Sequence, residues 1–204
     1  MSHPDGTPDP AHRRPGAASP LDVHIDGLEG ALEALRDDVP RLERWGVELA
    51  GRLTLGGRLL VAGNGGSAAQ AQHLTAELVG RYRAEREPLS AVALHADTST
   101  LTALTNDYGA EMAFARQVEA HGRPGDLLLA LSTSGRSPNV LRAAATATAL
   151  GMEVWALCGR PGGGLDQLAD DAVTVDAATP TVQEVHQVCL HLLCDAVDRA
   201  VAAA

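Results

Sequence analysis

This sequence has few aromatic residues, no set of paired cysteines and no long apolar run. These absences restrict the composition of the core and exclude a disulfide framework and a transmembrane helix. Only 2% of the 204 residues are aromatic while 45% are hydrophobic, so the core must consist largely of Ala, Leu and Val. Small aliphatic side chains of this kind suit close packing of helices on a sheet. No apolar run reaches the roughly 20 residues that a transmembrane helix needs, so we expect no membrane partner.

The three cysteines do not form a set of pairs. Cys158, Cys189 and Cys194 are odd in number and lack Cys-x-x-Cys spacing. Because disulfide frameworks belong to oxidising compartments, these residues indicate a cytoplasmic protein with reduced thiols. We expect all three to be buried packing residues.

Positive charge is scarce relative to negative charge. The formal net charge of -10 opposes non-specific binding of nucleic acid or of anionic membranes. Residues 1–20 are rich in proline and lack the apolar core of a secretory signal. We interpret them as a disordered tail in front of a single domain, residues 21–204.

Short apolar runs alternate with helical patterns along the rest of the chain. A helical segment, residues 21–55 with an interruption at Pro40, comes first. The apolar runs are residues 59–62, 91–94, 127–131, 154–157 and 172–175, and the later helical segments are residues 68–79, 98–104, 111–120, 139–150, 165–168 and 182–203. This alternation predicts an α/β fold with a parallel sheet and helices on both faces. The loops after the strands then share one edge, where we expect the functional site.

A loop dense in hydroxyl groups follows the third apolar run. It contains Ser132, Thr133, Ser134 and Ser137, and Pro138 suits the first position of a helix. Ser137 is therefore the predicted N-cap. Hydroxyl groups beside the free N–H groups of a helix start favour an anion, so this loop predicts binding of a phosphorylated small molecule.

A glycine-rich loop, residues 63–67, follows the first apolar run. Its glycines allow the backbone to approach a ligand closely, and Ser67 can cap the next helix. The loop also fits the loose dinucleotide pattern G-x-G-x-x-G/A, but the acidic residue expected at the end of the second strand is absent. The alternative is a tight turn without a ligand. The presence of the hydroxyl loop after the third apolar run favours a ligand-binding loop over this alternative.

Two helical segments carry side chains with metal-binding chemistry. His73 and Glu77 lie four residues apart on one helix, and Gln183, Gln187 and His191 repeat that spacing on the last helix. Imidazole and carboxylate groups suit Zn²⁺, whereas an amide oxygen is an unusual ligand. A solvated polar face is the alternative, and spacing alone favours it over a metal site.

Other segments also allow two interpretations. Asn106 and Asp107 fit either a turn or contacts to sugar hydroxyl groups, and residues 162–164 fit a flexible loop. Asp97 or Thr98 is expected to cap the helix after the second strand.

Taken together, these motifs resemble the SIS-domain phosphoheptose isomerases from about Leu28 to the C-terminus. The resemblance rests on strings in residues 63–67, 73–81, 106–108, 132–140 and 183–191. It implies a three-layer α/β sandwich with a five-stranded parallel sheet, and a homotetramer with sites near the subunit interfaces. It also implies one Zn²⁺ per subunit and the conversion of sedoheptulose 7-phosphate to D-glycero-D-manno-heptose 7-phosphate through an enediol.

The resemblance also assigns roles to individual residues. Glu77 and His191 would form the acid/base pair. The residues that would bind the substrate are Asn64, Gly65, Gly66, Ser67, Glu77, Asn106, Asp107, Ser132, Thr133, Ser134, Ser137 and Gln183. The residues that would hold zinc are His73, Glu77, Gln183 and His191. Two positions depart from the pattern of the family, Pro180 where many relatives have an acidic residue and Arg136 where Asn is common.

A second interpretation is a non-catalytic SIS protein that binds another protein. The replication-initiator-associating protein is of this type and shares much of the same motif set. The sequence discriminates poorly between the two interpretations, whereas direct binding to an initiator without turnover of any sugar phosphate would favour the second.

Overall fold

The computed structural model describes residues 19–203, which form a five-stranded parallel sheet between two layers of helices. The strand order is β2-β1-β3-β4-β5, and every neighbouring pair is parallel. The strands are β1 (Leu59–Ala62), β2 (Ala91–Ala93), β3 (Leu127–Ser132), β4 (Glu153–Cys158) and β5 (Asp171–Thr174). The predicted α/β sandwich with its five-stranded parallel sheet is confirmed.

Eight α-helices accompany these strands within the described residues. They are α1 (Pro20–Leu35), α2 (Val39–Thr54), α3 (Gly66–Val79), α4 (Thr98–Tyr108), α5 (Ala115–His121), α6 (Pro138–Ala149), α7 (Leu165–Leu168) and α8 (Thr179–Ala202). Two short 3₁₀ turns, Arg36–Asp38 and Ala110–Met112, lie before α2 and α5. None of the helices described is long and apolar enough to cross a membrane.

The sheet has a separate hydrophobic core on each face because successive strand residues point to opposite sides. In β3, Leu127, Leu129 and Leu131 face a core built with α1, α2, α3 and α8. Leu128 and Ala130 face a second core built with α5, α6 and α7. Both faces are covered, which explains why the strands are apolar throughout.

Two of the five aromatic residues stack on each other in the core. Trp45 of α2 stacks on Trp155 of β4 with ring centroids 4.6 Å apart, and both side chains are buried. Each indole N–H has an acceptor, Asp171 Oδ2 at 2.9 Å for Trp45 and Glu153 Oε1 at 2.7 Å for Trp155. This pair packs α2 against β4.

The start of the folded chain differs slightly from the predicted boundary. Ser19 caps α1 by accepting a hydrogen bond from the N–H of Leu21, and Pro20 occupies the first turn. Pro20 therefore belongs to the helix and not to a tail that reaches residue 20, because proline fits this position. The rest of the predicted tail, residues 1–18, lies outside the described residues. Pro40 interrupts the leading helical segment as predicted, since it lies in the first turn of α2.

The cysteines are buried and free, as predicted. Burial raises the pKa of Cys158, Cys189 and Cys194 to about 12. The thiols therefore stay protonated at neutral pH and behave as small apolar side chains.

Candidate active site

The candidate site lies where the order of the sheet reverses. Strand β1 lies between β2 and β3 in the sheet. The loops after β1 and β3 therefore leave the same edge of the sheet beside one another. In open α/β sheets this crevice is where ligands bind. The glycine loop follows β1 and the hydroxyl loop follows β3, so the fold brings together the two motifs that the sequence singles out.

Three hydroxyl groups converge in the loop after β3. Ser132 is 4% exposed, and its Oγ lies 3.2 Å from Ser137 Oγ and 3.5 Å from Ser134 Oγ. Ser137 holds the predicted N-cap position of α6, but its side chain caps no N–H group of the helix. Its hydroxyl faces Ser132 instead, so these hydroxyl groups remain beside the helix start where an anion would bind.

Glycines of a neighbouring loop determine the shape of the hydroxyl loop. An added Cβ on Gly163 would lie 2.5 Å from the Ser134 carbonyl oxygen and 2.7 Å from Gly135 Cα, and one on Gly159 would clash with the Thr133 carbonyl oxygen. Residues 162–164 form a loop, as predicted, and this loop packs directly against the hydroxyl loop. The N–H groups of Gly162 and Gly164 also donate to the Asp166 carboxylate.

The glycine loop differs from the prediction in its cap. Gly65 is the N-cap residue of α3 with a φ of +54°, a conformation that favours glycine, and Ser67 already lies inside the helix. Ser67 therefore does not cap α3 as predicted, because the helix begins one residue before it. Its side chain is 3% exposed and packs beside Gly63, where an added Cβ would lie 2.9 Å from Ser67 Cβ.

A pair of amides joins the two loops. Asn64 Nδ2 donates to Asn139 Oδ1, and Asn139 Nδ2 donates to Asn64 Oδ1, both at 2.9 Å. Asn64 is thus held in a fixed orientation at the sheet edge. Sequence reasoning gave no role to Asn139, and its place in the first turn of α6 after Pro138 was the available signal.

Two imidazoles and a carboxylate meet between α3 and α8. His73 Nε2 lies 2.9 Å from His191 Nε2 and 3.5 Å from Glu77 Oε1. Gln187 Nε2 lies 3.1 Å from His191 Nε2, and the Tyr82 ring lies 5.6 Å from the His191 ring. The structure therefore brings together His73, Glu77 and His191, which lie up to 118 residues apart in the chain.

Gln183 lies at the other end of the contact between these helices. Its carboxamide packs on Gly66, where an added Cβ would lie 2.5 Å from Gln183 Nε2, and its carbonyl oxygen accepts from Gln70 Nε2 at 2.6 Å. Helices α3 and α8 thus run side by side in the same direction. Gln183 contacts the glycine loop, while Gln187 occupies the position beside His191.

Asn106 and Asp107 are part of a helix and not of a turn, so the interpretation of this segment as a turn is wrong. They lie in the last turn of α4, which continues to Tyr108 and ends at Gly109 with a φ of +84°. Both are exposed, and Asn106 Nδ2 donates to Asp107 Oδ1 at 2.9 Å. Asp97 caps the start of α4, as predicted, by accepting from the N–H of Thr100 at 3.1 Å.

A buried histidine lies behind the site. His186 of α8 is fully buried, and its Nε2 lies 3.1 Å from the carbonyl oxygen of Cys158 at the end of β4. Burial lowers the pKa of His186 to about 4, so the ring is neutral at physiological pH. Cys158 is the register partner of Ser132, the residue at which the hydroxyl loop begins. His186 therefore links α8 to the end of β4 beside this loop.

The donor set of His73, Glu77 and His191 suits zinc in its chemistry. Zinc takes imidazole nitrogen and carboxylate oxygen at 2.0–2.2 Å, which separates two bound nitrogens by about 3.3 Å in a tetrahedron. The two imidazole nitrogens lie slightly closer than that, at 2.9 Å. Within residues 19–203, no set of three or more His, Cys, Asp or Glu side chains is already spaced as a metal cage. The residues fit a zinc ion by type, and a small rearrangement of these partly exposed side chains would be needed to hold it.

Comparison with known proteins identifies the family. The SIS domain model matches residues 28–159. A phosphoheptose isomerase of Streptomyces coelicolor is 58% identical over 182 residues, which cover 89% of this chain and 79% of that protein. The chain belongs to the phosphoheptose isomerase family. A solved phosphoheptose isomerase of Francisella tularensis has a TM-score of 0.82 at 36% identity and covers 88% of this chain and 96% of its own.

A second solved member of the phosphoheptose isomerase family agrees with this assignment. The protein of Neisseria gonorrhoeae has a TM-score of 0.80 at 38% identity, covering 88% of this chain and 97% of its own. The coverage of both chains is nearly complete, so the likeness extends over the sheet and both helical layers.

Proposed function

We propose that this protein is a ketose–aldose isomerase that converts sedoheptulose 7-phosphate to D-glycero-D-manno-heptose 7-phosphate. The observation that carries this proposal is the convergence of Glu77 and His191 on His73, in a protein of the phosphoheptose isomerase family. Two ionisable side chains that flank one position are what transfer of a proton between adjacent carbons requires.

The hydroxyl loop would hold the phosphate. Ser132, Thr133, Ser134 and Ser137 supply hydroxyl donors at the start of α6, whose N–H groups add a favourable dipole. Asn64 and the glycine loop on one side, and Asn106 with Asp107 on α4, would contact the sugar hydroxyl groups. Such binding remote from the reacting carbons orients them for proton transfer.

Glu77 and His191 would act as the acid/base pair. One of them removes a proton from C1 while O2 gains a proton, which gives the enediol. A proton then returns to C2 as O1 loses its proton, so the C2 ketone becomes a C1 aldehyde without net oxidation. A pair of this kind typically contributes 10²–10⁴-fold to the rate.

We further propose that His73, Glu77 and His191 hold one Zn²⁺ per subunit, with the Gln183 side chain turned from Gly66 towards them as the fourth ligand. Bound near O1 and O2, the ion would stabilise the negative charge of the enediolate as a Lewis acid. Elemental analysis of purified protein tests this: about one zinc per chain is expected, and a His73→Ala variant should lose it. A zinc-free protein that turns over at full rate would contradict the proposal.

We also propose a cytoplasmic homotetramer with sites near the subunit interfaces. Glu77 lies eleven residues beyond Gly66 on the same helix, a rise of about 16 Å, which supports a site completed by a second subunit. Leu21, Val23 and Ile25 of α1 are more than half exposed, as expected for an apolar surface that a partner covers. Light scattering should give four times the chain mass.

The activity is tested with clean, zinc-supplied protein and sedoheptulose 7-phosphate by following formation of the aldose. Turnover is expected, and its absence would contradict the proposal. The alternative, a non-catalytic SIS protein, predicts binding of a replication initiator without turnover of any sugar phosphate. The same preparation distinguishes the two, and the family membership favours the isomerase.

A further inference from the structure

A buried arginine lies directly behind the acid/base pair. The side chain of Arg86, in the segment between α3 and β2, is only 6% exposed, and its Nε donates to Asp198 Oδ1 of α8 at 2.8 Å. The Asp198 side chain is 12% exposed. A buried ion pair is weak evidence for added stability by itself, so the remaining contacts of the guanidinium decide what it does.

Both terminal nitrogens of Arg86 donate to the end of α3, and Nη1 also donates to the carbonyl oxygen of Glu87 at 3.1 Å. Nη2 donates to the carbonyl oxygen of Glu77 at 2.7 Å, and Nη1 donates to the carbonyl oxygen of Leu78 at 2.8 Å. The last four carbonyl groups of a helix have no partner within the helix. Arg86 thus supplies a partner for two of them, that of Leu78, which also accepts from the N–H of Leu89 at 3.0 Å, and that of Glu77 itself.

Asp198, the ion-pair partner of Arg86, lies on the same face of α8 as His191. Asp198 lies seven residues after His191 on α8, which places both on one face of the helix, two turns apart. The second Asp198 oxygen accepts from the backbone N–H of Arg83 at 3.2 Å. One guanidinium therefore connects the helix turn that carries Glu77 to the helix face that carries His191.

We propose that Arg86 is a positioning residue for the isomerase reaction, holding the last turn of α3 against α8 so that Glu77 and His191 stay in register. This inference rests on the proposed function. Arg86 contacts the backbone of Glu77 and not its carboxylate, so it acts through the placement of Glu77. A misplacement of about 1 Å at reacting groups can reduce the rate by about 10²-fold.

Binding of the substrate phosphate should be unaffected, because the hydroxyl loop belongs to β3 and α6. We therefore expect Arg86→Gln to lower kcat by about 10- to 100-fold and to leave KM within about threefold of the wild type. Arg199→Gln is the matched control. Arg199 lies one residue after Asp198 and forms exposed ion pairs with Glu43 and Asp195, so its loss should change neither constant.

A double variant separates positioning from stability. Arg86→Gln alone leaves the Asp198 charge buried without its partner, which destabilises the fold. Adding Asp198→Asn removes that charge and should recover thermal stability, but it cannot restore the bonds to the two carbonyl groups. We expect kcat of the double variant to stay as low as that of Arg86→Gln. A purely structural role for Arg86 predicts recovery of kcat together with stability.

The inference is overturned if folded Arg86→Gln, or the folded double variant, keeps kcat within twofold of the wild type. If neither variant folds, Arg86→Lys decides by the same criterion, because lysine reaches Asp198 but lacks the fork that bonds two carbonyl groups. A readout independent of turnover is the imidazole ¹⁵N shifts of His73 and His191. These shifts should move in Arg86→Gln and not in Arg199→Gln. Lack of turnover by the wild type would instead refute the proposed function.

Discussion

Substitution of Gly163 by alanine should weaken binding of the substrate phosphate although Gly163 would touch no part of the substrate. The added Cβ would lie 2.5 Å from the Ser134 carbonyl oxygen and 2.7 Å from Gly135 Cα. Both contacts are to backbone, so relief to an ordinary contact of 3.4 Å requires a movement of about 0.9 Å in the hydroxyl loop. Overpacking of this size destabilises a protein by about 1–3 kcal/mol.

The effect on binding follows from the hydrogen bonds that the loop would make. Each bond to a charged group contributes about 1.5–3 kcal/mol, so displacement of one bond raises KM by about 10- to 100-fold. We expect kcat to stay near the wild-type value, because α3 and α8 are not part of this loop. Inorganic phosphate should become a correspondingly weaker competitive inhibitor.

Gly162→Ala is the control in the same loop. Gly162 has a φ of +88° with nothing within 4 Å of an added Cβ, so the substitution causes backbone strain without a clash. It should lower the unfolding free energy by about 1–2 kcal/mol and leave KM unchanged. Steady-state kinetics and thermal unfolding of both variants give the result. A folded Gly163→Ala protein with wild-type KM would refute the assignment of the phosphate to this loop.

Three further predictions follow from the site and its surroundings. His191→Gln should reduce kcat by about 10²–10⁴-fold with an unchanged circular dichroism spectrum, and wild-type rates would remove His191 from the mechanism. Ser134→Ala combined with Ser137→Ala should raise KM at least about tenfold with little change in kcat, and an unchanged KM would mean that the loop binds something else. His186 is neutral in the fold with a pKa of about 4, against 6.5 when unfolded. Its contribution to stability is complete above pH 6.5 and is lost as the pH falls towards 4, by roughly 3 kcal/mol. Urea unfolding at pH 4 and pH 7 should therefore show a smaller pH dependence in His186→Asn, and an equal dependence would contradict this account.

The strands and most helices could be predicted from the sequence because their burial is visible in the residue pattern. Strand β1 has the predicted bounds, since both of its faces are covered and every residue is apolar. The end of α4 was missed because Asn106 and Asp107 are typical of turns, although a helix can carry them in its last turn when Gly109 follows as the cap. Local composition does not separate these two cases.

The candidate site was only partly predictable. Spacing within one helix places His73 beside Glu77, but nothing local indicates that His191 approaches them, because that contact depends on how α8 packs on α3. The resemblance to a known family supplied that expectation. The pairing of Asn139 with Asn64 and the contacts of Arg86 with α3 were not predicted. Both depend on the path of a loop, which the residue pattern does not encode.

The most direct test of the enediol account is isomerisation in D₂O. Wild-type protein is incubated with sedoheptulose 7-phosphate, and the heptose product is examined by NMR. We expect solvent deuterium at C2 of the aldose, because a proton released to an ionisable side chain can exchange before it returns. Product that forms at full rate and carries no deuterium at C2 would contradict proton transfer through Glu77 and His191.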